Sequence, residues 1–184
     1  MELPIYELRI DGEMTGVEAV ALVNQPAIGI EYQAFNKAMK FNIADEEQRV
    51  VMGAAMIPEL PIYRMDAERG EYYAIFKKDT IRKIAEKFFK ENKQGKFNEA
   101  HDGAKMIEGG YAFQSFIVDE KMGIQAPKGF ENIKDGTWFI AAKIENDAVW
   151  AKIKNDGEYK GFSIEGMFDV IPYQTMSKII QKYI

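Results

Sequence analysis

Gly161-Phe162-Ser163-Ile164-Glu165-Gly166-Met167-Phe168-Asp169-Val170-Ile171 alternates apolar and polar side chains along most of its length. Phe162, Ile164, Phe168 and Val170 fall on one face and Ser163, Glu165 and Asp169 on the other, the two-residue period of a half-buried strand. Working outward, residues 137–144, 111–118, 71–76 and 49–57 also read as strands, the last ending at Pro58. Near the start, residues 5–10 form a strand closed by Asp11-Gly12, a turn signal. Gly16-Val17-Glu18-Ala19-Val20-Ala21-Leu22-Val23 is apolar on both faces and reads as a buried strand that stops at Asn24-Gln25-Pro26. Residues 36–48 are polar and carry no period, so a loop with at most a short helix is expected.

Helical spacing governs three stretches. Ile81, Ile84, Ala85, Phe88 and Phe89 predict a helix over 79–92, with Asp79 as its N-cap and Gly95 just past its end. Its lysine-rich outer face reads as solvated surface. A shorter helix over 147–155 has Asn146 as cap, Gly157 as stop, and Val149, Trp150 and Ile153 inward. A third, over 173–184, shows Met176, Ile179, Ile180 and Tyr183 as an apolar stripe that continues to the last residue. Such a stripe either packs on its own domain or docks on a partner.

The chain has 184 residues, enough for one domain with a real core. No repeat, low-complexity tract or Pro/Gly/Ser linker divides it, so a single domain over 1–172 followed by the amphipathic helix 173–184 is expected. An aromatic content of 12% favours a β-rich core over a helical bundle. The predicted fold class is α+β: a small, partly closed, mostly antiparallel β-barrel of about six or seven strands with about three flanking helices.

Composition excludes several functions. With no cysteine, the chain has no disulfide framework, thiol nucleophile or Cys-based metal site. A net charge of −5, with lysines spread along the chain, lacks the basic, aromatic-laced stripe of a nucleic-acid binder. No apolar run reaches membrane-spanning length, and the first ten residues lack the basic and apolar regions of a signal peptide.

Three residues stand out chemically. The single histidine, His101, lies in Asn98-Glu99-Ala100-His101-Asp102-Gly103. A His in a polar turn is ordinarily a solvated residue. Glu99, His101 and Asp102 do not match zinc spacing without a second imidazole, so no metal is expected. Ser163 lies between glycines that allow close backbone approach, on the face turned from the core toward a cleft or solvent, as a nucleophile requires. Serines on outer strand faces are also commonplace, so position alone does not make it one. Glu18 interrupts an apolar strand, which predicts a partly buried carboxylate. An imidazole N–H would satisfy it, whereas a strand-end carboxylate reaching water is the other reading.

In this order the segments resemble a known family. The markers are Ile57-Pro58 with Ile62-Tyr63-Arg64, then His101 after the long helix, Gln114-Ser115-Phe116-Ile117-Val118 and Thr137-Trp138-Phe139. Asp147-Ala148-Val149-Trp150 and Gly157-Glu158 lead into Gly161-Phe162-Ser163-Ile164-Glu165-Gly166. From about Val51 to Pro172, with a separate match at Gly16–Ile28, the chain is similar to tailed-phage prohead proteases, above all the XkdF-like phage serine proteases. These belong to the superfamily of the herpesvirus assembly protease.

The resemblance implies a herpesvirus protease-like barrel and a cofactor-free Ser–His endopeptidase that trims scaffold and major capsid precursors, and often itself. It would act in the prohead or virion interior, or in the host cytoplasm during assembly. Its partners would be those precursors and a second copy of itself, with no nucleic acid or membrane. His101 matches the family histidine and Ser163 the serine of its Gly-aromatic-Ser-x-x-Gly strand. Relatives carry an acidic residue in a Val-Glu/Asp-x-Val strand before Pro-Ala. Val17-Glu18-Ala19-Val20 with Pro26-Ala27 matches it, in permuted order, which makes Glu18 the third catalytic candidate, with Asp102 and Glu165 behind it. Backbone N–H groups near Gly161 or Gly166 would hold the oxyanion. The competing expectation is a non-catalytic capsid- or scaffold-associated protein on a protease-like fold. The family's scaffold-like extensions also suggest that the chain ends at Ile184 by self-cleavage of a longer precursor.

Overall fold

Phe162, fully buried, explains how the alternating stretch is fixed in place. Its ring centroid lies 5.2 Å from that of Phe41 and 6.3 Å from that of Phe97. Truncating a buried Phe of this kind costs about 3–5 kcal/mol. With the Phe162 face pinned inward, the strand has one register available, since a slip of one residue would turn every core side chain outward.

The computed structural model describes residues 3–12, 14–24, 40–155 and 157–173. In chain order the strands are β1 (Ile5–Arg9), β2 (Gly16–Val23), β3 (Asn42–Asp45), β4 (Val50–Met56), β5 (Ile62–Asp66) and β6 (Gly70–Phe76). Helix α1 (Lys78–Lys90) follows, then β7 (Phe97–Glu99), β8 (Asp102–Met106) and β9 (Gly110–Ile117). A 3₁₀ turn (Glu120–Met122), β10 (Trp138–Ile144), α2 (Asp147–Lys154), β11 (Gly161–Met167) and β12 (Asp169–Pro172) complete the order.

These strands form three four-stranded sheets, ordered β12-β1-β6-β5, β3-β4-β10-β9 and β11-β2-β7-β8. Antiparallel pairing predominates, with parallel pairs at β1/β6 and β2/β7. Trp138, Phe88, Phe97, Phe139 and Phe162 are the largest fully buried side chains. A smaller apolar cluster gathers Ile57, Leu60, Val118, Phe130 and Phe139.

The α+β barrel with about three flanking helices is not what forms. Among the described residues the chain is mostly β, with twelve strands in three open sheets, two α-helices and no closed barrel. Closure needs an unbroken ring of ladder hydrogen bonds, and each sheet here ends in edge strands. The residues expected to form the C-terminal helix, apart from Tyr173, lie outside the described residues, as does Pro26-Ala27.

Two local details also differ. Helix α1 begins without a side-chain cap at Lys77, and Asp79 lies inside its first turn, where a carboxylate favours the positive end of the helix dipole. The stretch 161–171 is two strands separated at Phe168. Helix α2 is capped by Asn146, whose Oδ1 accepts the Val149 N–H at 3.1 Å. It buries Val149, Trp150 and Ile153.

Candidate active site

The site is assembled by the sheet β11-β2-β7-β8. Ser163 on β11 pairs with Ala21 on β2, and Ala21 pairs with Asn98 on β7. Paired residues on neighbouring strands point to the same face, and residues two apart on one strand share it. Ser163, Glu165 and Asn98 therefore lie on one face, with only the small Ala21 between Ser163 and Asn98.

His101 reaches this face through a hairpin. Strands β7 and β8 are joined by the two-residue turn Ala100-His101, and Glu99 pairs with Asp102 across it. Both turn residues have positive φ, 53° and 65°, as in a type I′ turn. Neither is Gly or Asn, so the left-handed conformation is held against its intrinsic cost by the paired strands. His101 Nδ1 lies 3.1 Å from Glu165 Oε1. The same oxygen accepts from Asn98 Nδ2 at 2.7 Å.

Asn98 is 1% exposed. Its Oδ1 is buried without a hydrogen-bond partner among the described residues, a desolvation cost of about 1–3 kcal/mol. Asn98 did not emerge from the sequence, and Glu165 stood behind Glu18 as the partner of His101, because both contacts depend on the long-range parallel pairing of β2 with β7.

Ser163 is only 5% exposed. It lines a pocket of about 50 Å³, so the face turned from Phe162 meets a cleft rather than open solvent. Ala55, Met56, Ile57, Leu60, Phe76 and Ile164 are among its apolar lining residues. The exposed Arg64 is its single charged lining residue and stays protonated at any working pH. Among the described residues no hydrogen bond joins Ser163 to His101.

Glu18 does not join this group. Its side chain is 55% exposed and its Oε1 accepts from Lys93 Nζ at 2.6 Å. The reason is a register shift: Glu165 pairs with Ala19 and Gly166 with Val17, leaving Glu18 unopposed. A bulged residue is turned out of the alternation, so Glu18 faces water although Val17 and Ala19 are buried. Of the two readings for its carboxylate, the one that reaches water is therefore what forms, as a surface ion pair, and not burial against the imidazole. Asp102 pairs instead with Lys105.

Gly166 has a packing role. A Cβ there would lie 2.0 Å from the Gly16 carbonyl oxygen, so glycine is needed for β11 to approach β2. Gly161 pairs with Val23 and, on the outer side, bridges to Lys40. Beyond that bridge the outer side of β11 carries no ladder pairing among the described residues, and β4 lies alongside it.

A second polar cluster lies beside the site on the opposite face of β7. Glu99 Oε2 accepts from Lys152 Nζ and from the buried Tyr159 hydroxyl, the latter at 2.6 Å. Burial raises the Glu99 pKa, but the Lys152 and Tyr159 hydrogen bonds outweigh it and leave the carboxyl below its usual value. Burial and the bond to Glu99 push Tyr159 up to about 12. Among the described residues no group of three or more His, Asp or Glu side chains converges as a metal site requires.

A family model described as "Putative phage serine protease XkdF" matches residues 38–172, well over half of the chain. No curated protein and no solved structure matches it. No helix among the described residues is long and apolar enough to cross a membrane.

Proposed function

We propose that this chain, which belongs to the XkdF family of phage serine proteases, is an endopeptidase with Ser163 as nucleophile, His101 as general base and Glu165 as orienting carboxylate. One observation carries this reading: His101 Nδ1 pairs with Glu165 Oε1 at 3.1 Å, and Glu165 shares the strand face of Ser163. Donation of Nδ1–H to a carboxylate fixes the tautomer in which Nε2 bears the lone pair.

The chemistry is acyl transfer. Nε2 takes the Ser163 proton as Oγ bonds to the scissile carbonyl carbon. The resulting oxyanion accepts backbone N–H donors, each worth about 3–4 kcal/mol in such sites. Collapse breaks the C–N bond, and the imidazolium returns its proton to the leaving amine. Water, deprotonated by Nε2, then cleaves the acyl ester and restores the Ser163 hydroxyl. The sequence needs no cofactor. Hydrogen bonds between base and nucleophile are often loose without substrate, so the Ser163–His101 bond forms when the peptide closes the site. As substrates we assign scaffold and major capsid precursors, cleaved within the immature phage head, on the strength of the resemblance alone.

The test is labelling with a fluorophosphonate probe, read by intact mass. Wild type gains one adduct, Ser163→Ala gains none, and His101→Ala reacts at least about 100-fold more slowly. The burial of Ser163 and its lack of a hydrogen bond to His101 favour the second reading, a non-catalytic head component. An unlabelled but folded wild type selects it.

A further inference from the structure

The Glu99–Lys152–Tyr159 cluster takes no part in the acyl transfer, yet it joins the elements that carry the reacting groups. Glu99 is the last residue of β7, directly before the Ala100-His101 turn. The buried Tyr159 lies two residues before β11, the strand that carries Ser163 and Glu165. Its hydroxyl donates to Glu99 Oε2 at 2.6 Å, and Lys152 on α2 donates to the same oxygen. The backbone on either side of Tyr159 is fixed as well. Glu158 N–H donates to the Lys152 carbonyl and Lys160 N–H to the Val23 carbonyl, each at 2.9 Å. Strand β7 is thereby gripped on both faces just ahead of the turn, Asn98 by Glu165 on one and Glu99 by Tyr159 and Lys152 on the other. The turn needs such a hold. Ala100 and His101 both have positive φ, without the Gly or Asn that adopts it readily. The imidazole is 45% exposed, so its place depends on the turn beneath it and on Glu165.

We propose that Tyr159 and Lys152 are positioning residues for His101. Through the Glu99 carboxylate they hold the Ala100-His101 turn in the conformation that keeps the imidazole on Glu165, and Tyr159 ties that turn to the strand bearing the serine. The inference rests on His101 being the general base. A neutral, unanchored Glu99 position would leave the turn free to relax toward negative φ, carrying Nδ1 off the carboxylate.

The chain has one histidine, so the imidazole nitrogen-15 resonances of the full chain report on His101 without ambiguity. In wild type the neutral ring shows a single tautomer, protonated at Nδ1, because Glu165 accepts there. Glu99→Gln and Tyr159→Phe, both folded, give a mixture with the Nε2–H tautomer. With a cleaved peptide, kcat falls about tenfold in each and KM is unchanged, as expected for a misplaced base. Tyr159→Phe removes a single oxygen and serves if Glu99→Gln fails to fold. Adding Ala100→Asn, at an exposed position where asparagine adopts positive φ readily, restores the single tautomer and brings kcat back to within about twofold. A cluster that only stabilises the fold leaves the tautomer single in every folded variant, and that result overturns the inference. A tautomer mixture that Ala100→Asn does not correct overturns it too, since the turn is then not the link. Fluorophosphonate labelling is run in parallel: a wild type that takes no label removes the serine chemistry, whereas the nitrogen-15 result decides the hold on His101 by itself.

Discussion

Glu165 Oε1 lies 3.1 Å from His101 Nδ1, while Glu18, the carboxylate that the family resemblance implies, is paired with Lys93 on the surface. The two carboxylates therefore separate in one experiment. Glu165→Gln cannot accept the Nδ1–H as a charged partner, so kcat/KM falls by about 10²–10⁴-fold with the fold intact. Glu18→Gln breaks an exposed ion pair worth at most about 1 kcal/mol and leaves turnover within about twofold. Steady-state kinetics with any cleaved peptide decides between them, and the reverse pattern would restore Glu18 as the orienting acid.

Asn98 positions Glu165 through its Nδ2 while its own Oδ1 is buried and unpartnered. Replacing it by leucine removes a donor to the carboxylate but also an unsatisfied acceptor. The two effects oppose each other in stability, so Asn98→Leu shifts the unfolding free energy by no more than about 1 kcal/mol. The carboxylate loses its anchor, and kcat falls about tenfold with KM unchanged. A fall in stability of several kcal/mol, or a change confined to KM, would contradict the positioning role.

The Glu99–Lys152–Tyr159 cluster makes stability pH-dependent at both ends. Glu99 has a folded pKa below its ordinary 4.5, so its contribution is complete above that value and is lost as pH falls through the folded pKa. Tyr159 moves from 10.0 up to about 12. Its contribution is complete below 10 and is lost as pH rises through about 12. Urea unfolding of Glu99→Gln will show a shallower acid limb than wild type, and Tyr159→Phe a shallower alkaline limb. Tyr159→Phe also costs about 1–3 kcal/mol at pH 7 through the lost bond to a charged acceptor.

Strong local periodicity made part of the fold readable. The largely apolar β2, the alternation of β11, and the inward faces of α1 and α2 follow directly from residue spacing. The β7–β8 hairpin did not, because its turn residues, Ala100-His101, lack the Asn or Gly that such a turn usually takes. Residue types that ordinarily avoid positive φ are held there by pairing. Short strands such as β3 and β8 are exposed and carry no apolar signal. The division into three open sheets depends on parallel partners distant in sequence, β1 with β6 and β2 with β7. In the site, the apolar neighbours of Glu18 left its burial open, and a bulge turns it to water. Glu165 was legible as a lesser candidate on the serine's face, and only the β2–β7 pairing brings His101 to it.

The close approach of Gly166 to Gly16 yields the sharpest stability test. A Cβ on Gly166 would sit 2.0 Å from the Gly16 carbonyl oxygen, 2.9 Å from its carbonyl carbon and 3.0 Å from Val17 Cα. All three are backbone or Cα atoms of β2, so no flexible side chain can move aside. Relief requires β11 and β2 to separate at the register shift, one residue from Glu165 and three from Ser163. Gly166→Ala therefore destabilises by about 3 kcal/mol or more, at the upper end for overpacking, and lowers activity by displacing Glu165. Gly103→Ala is the control, since a Cβ there meets nothing within 4 Å. Its stability stays within about 1 kcal/mol of wild type, with a small gain possible from the stiffer unfolded chain. Denaturation midpoints for the two variants, measured side by side, give the answer: equal midpoints would mean that β11 does not lie against Gly16, and the alignment of Ser163 with Asn98 and His101 would fall with it.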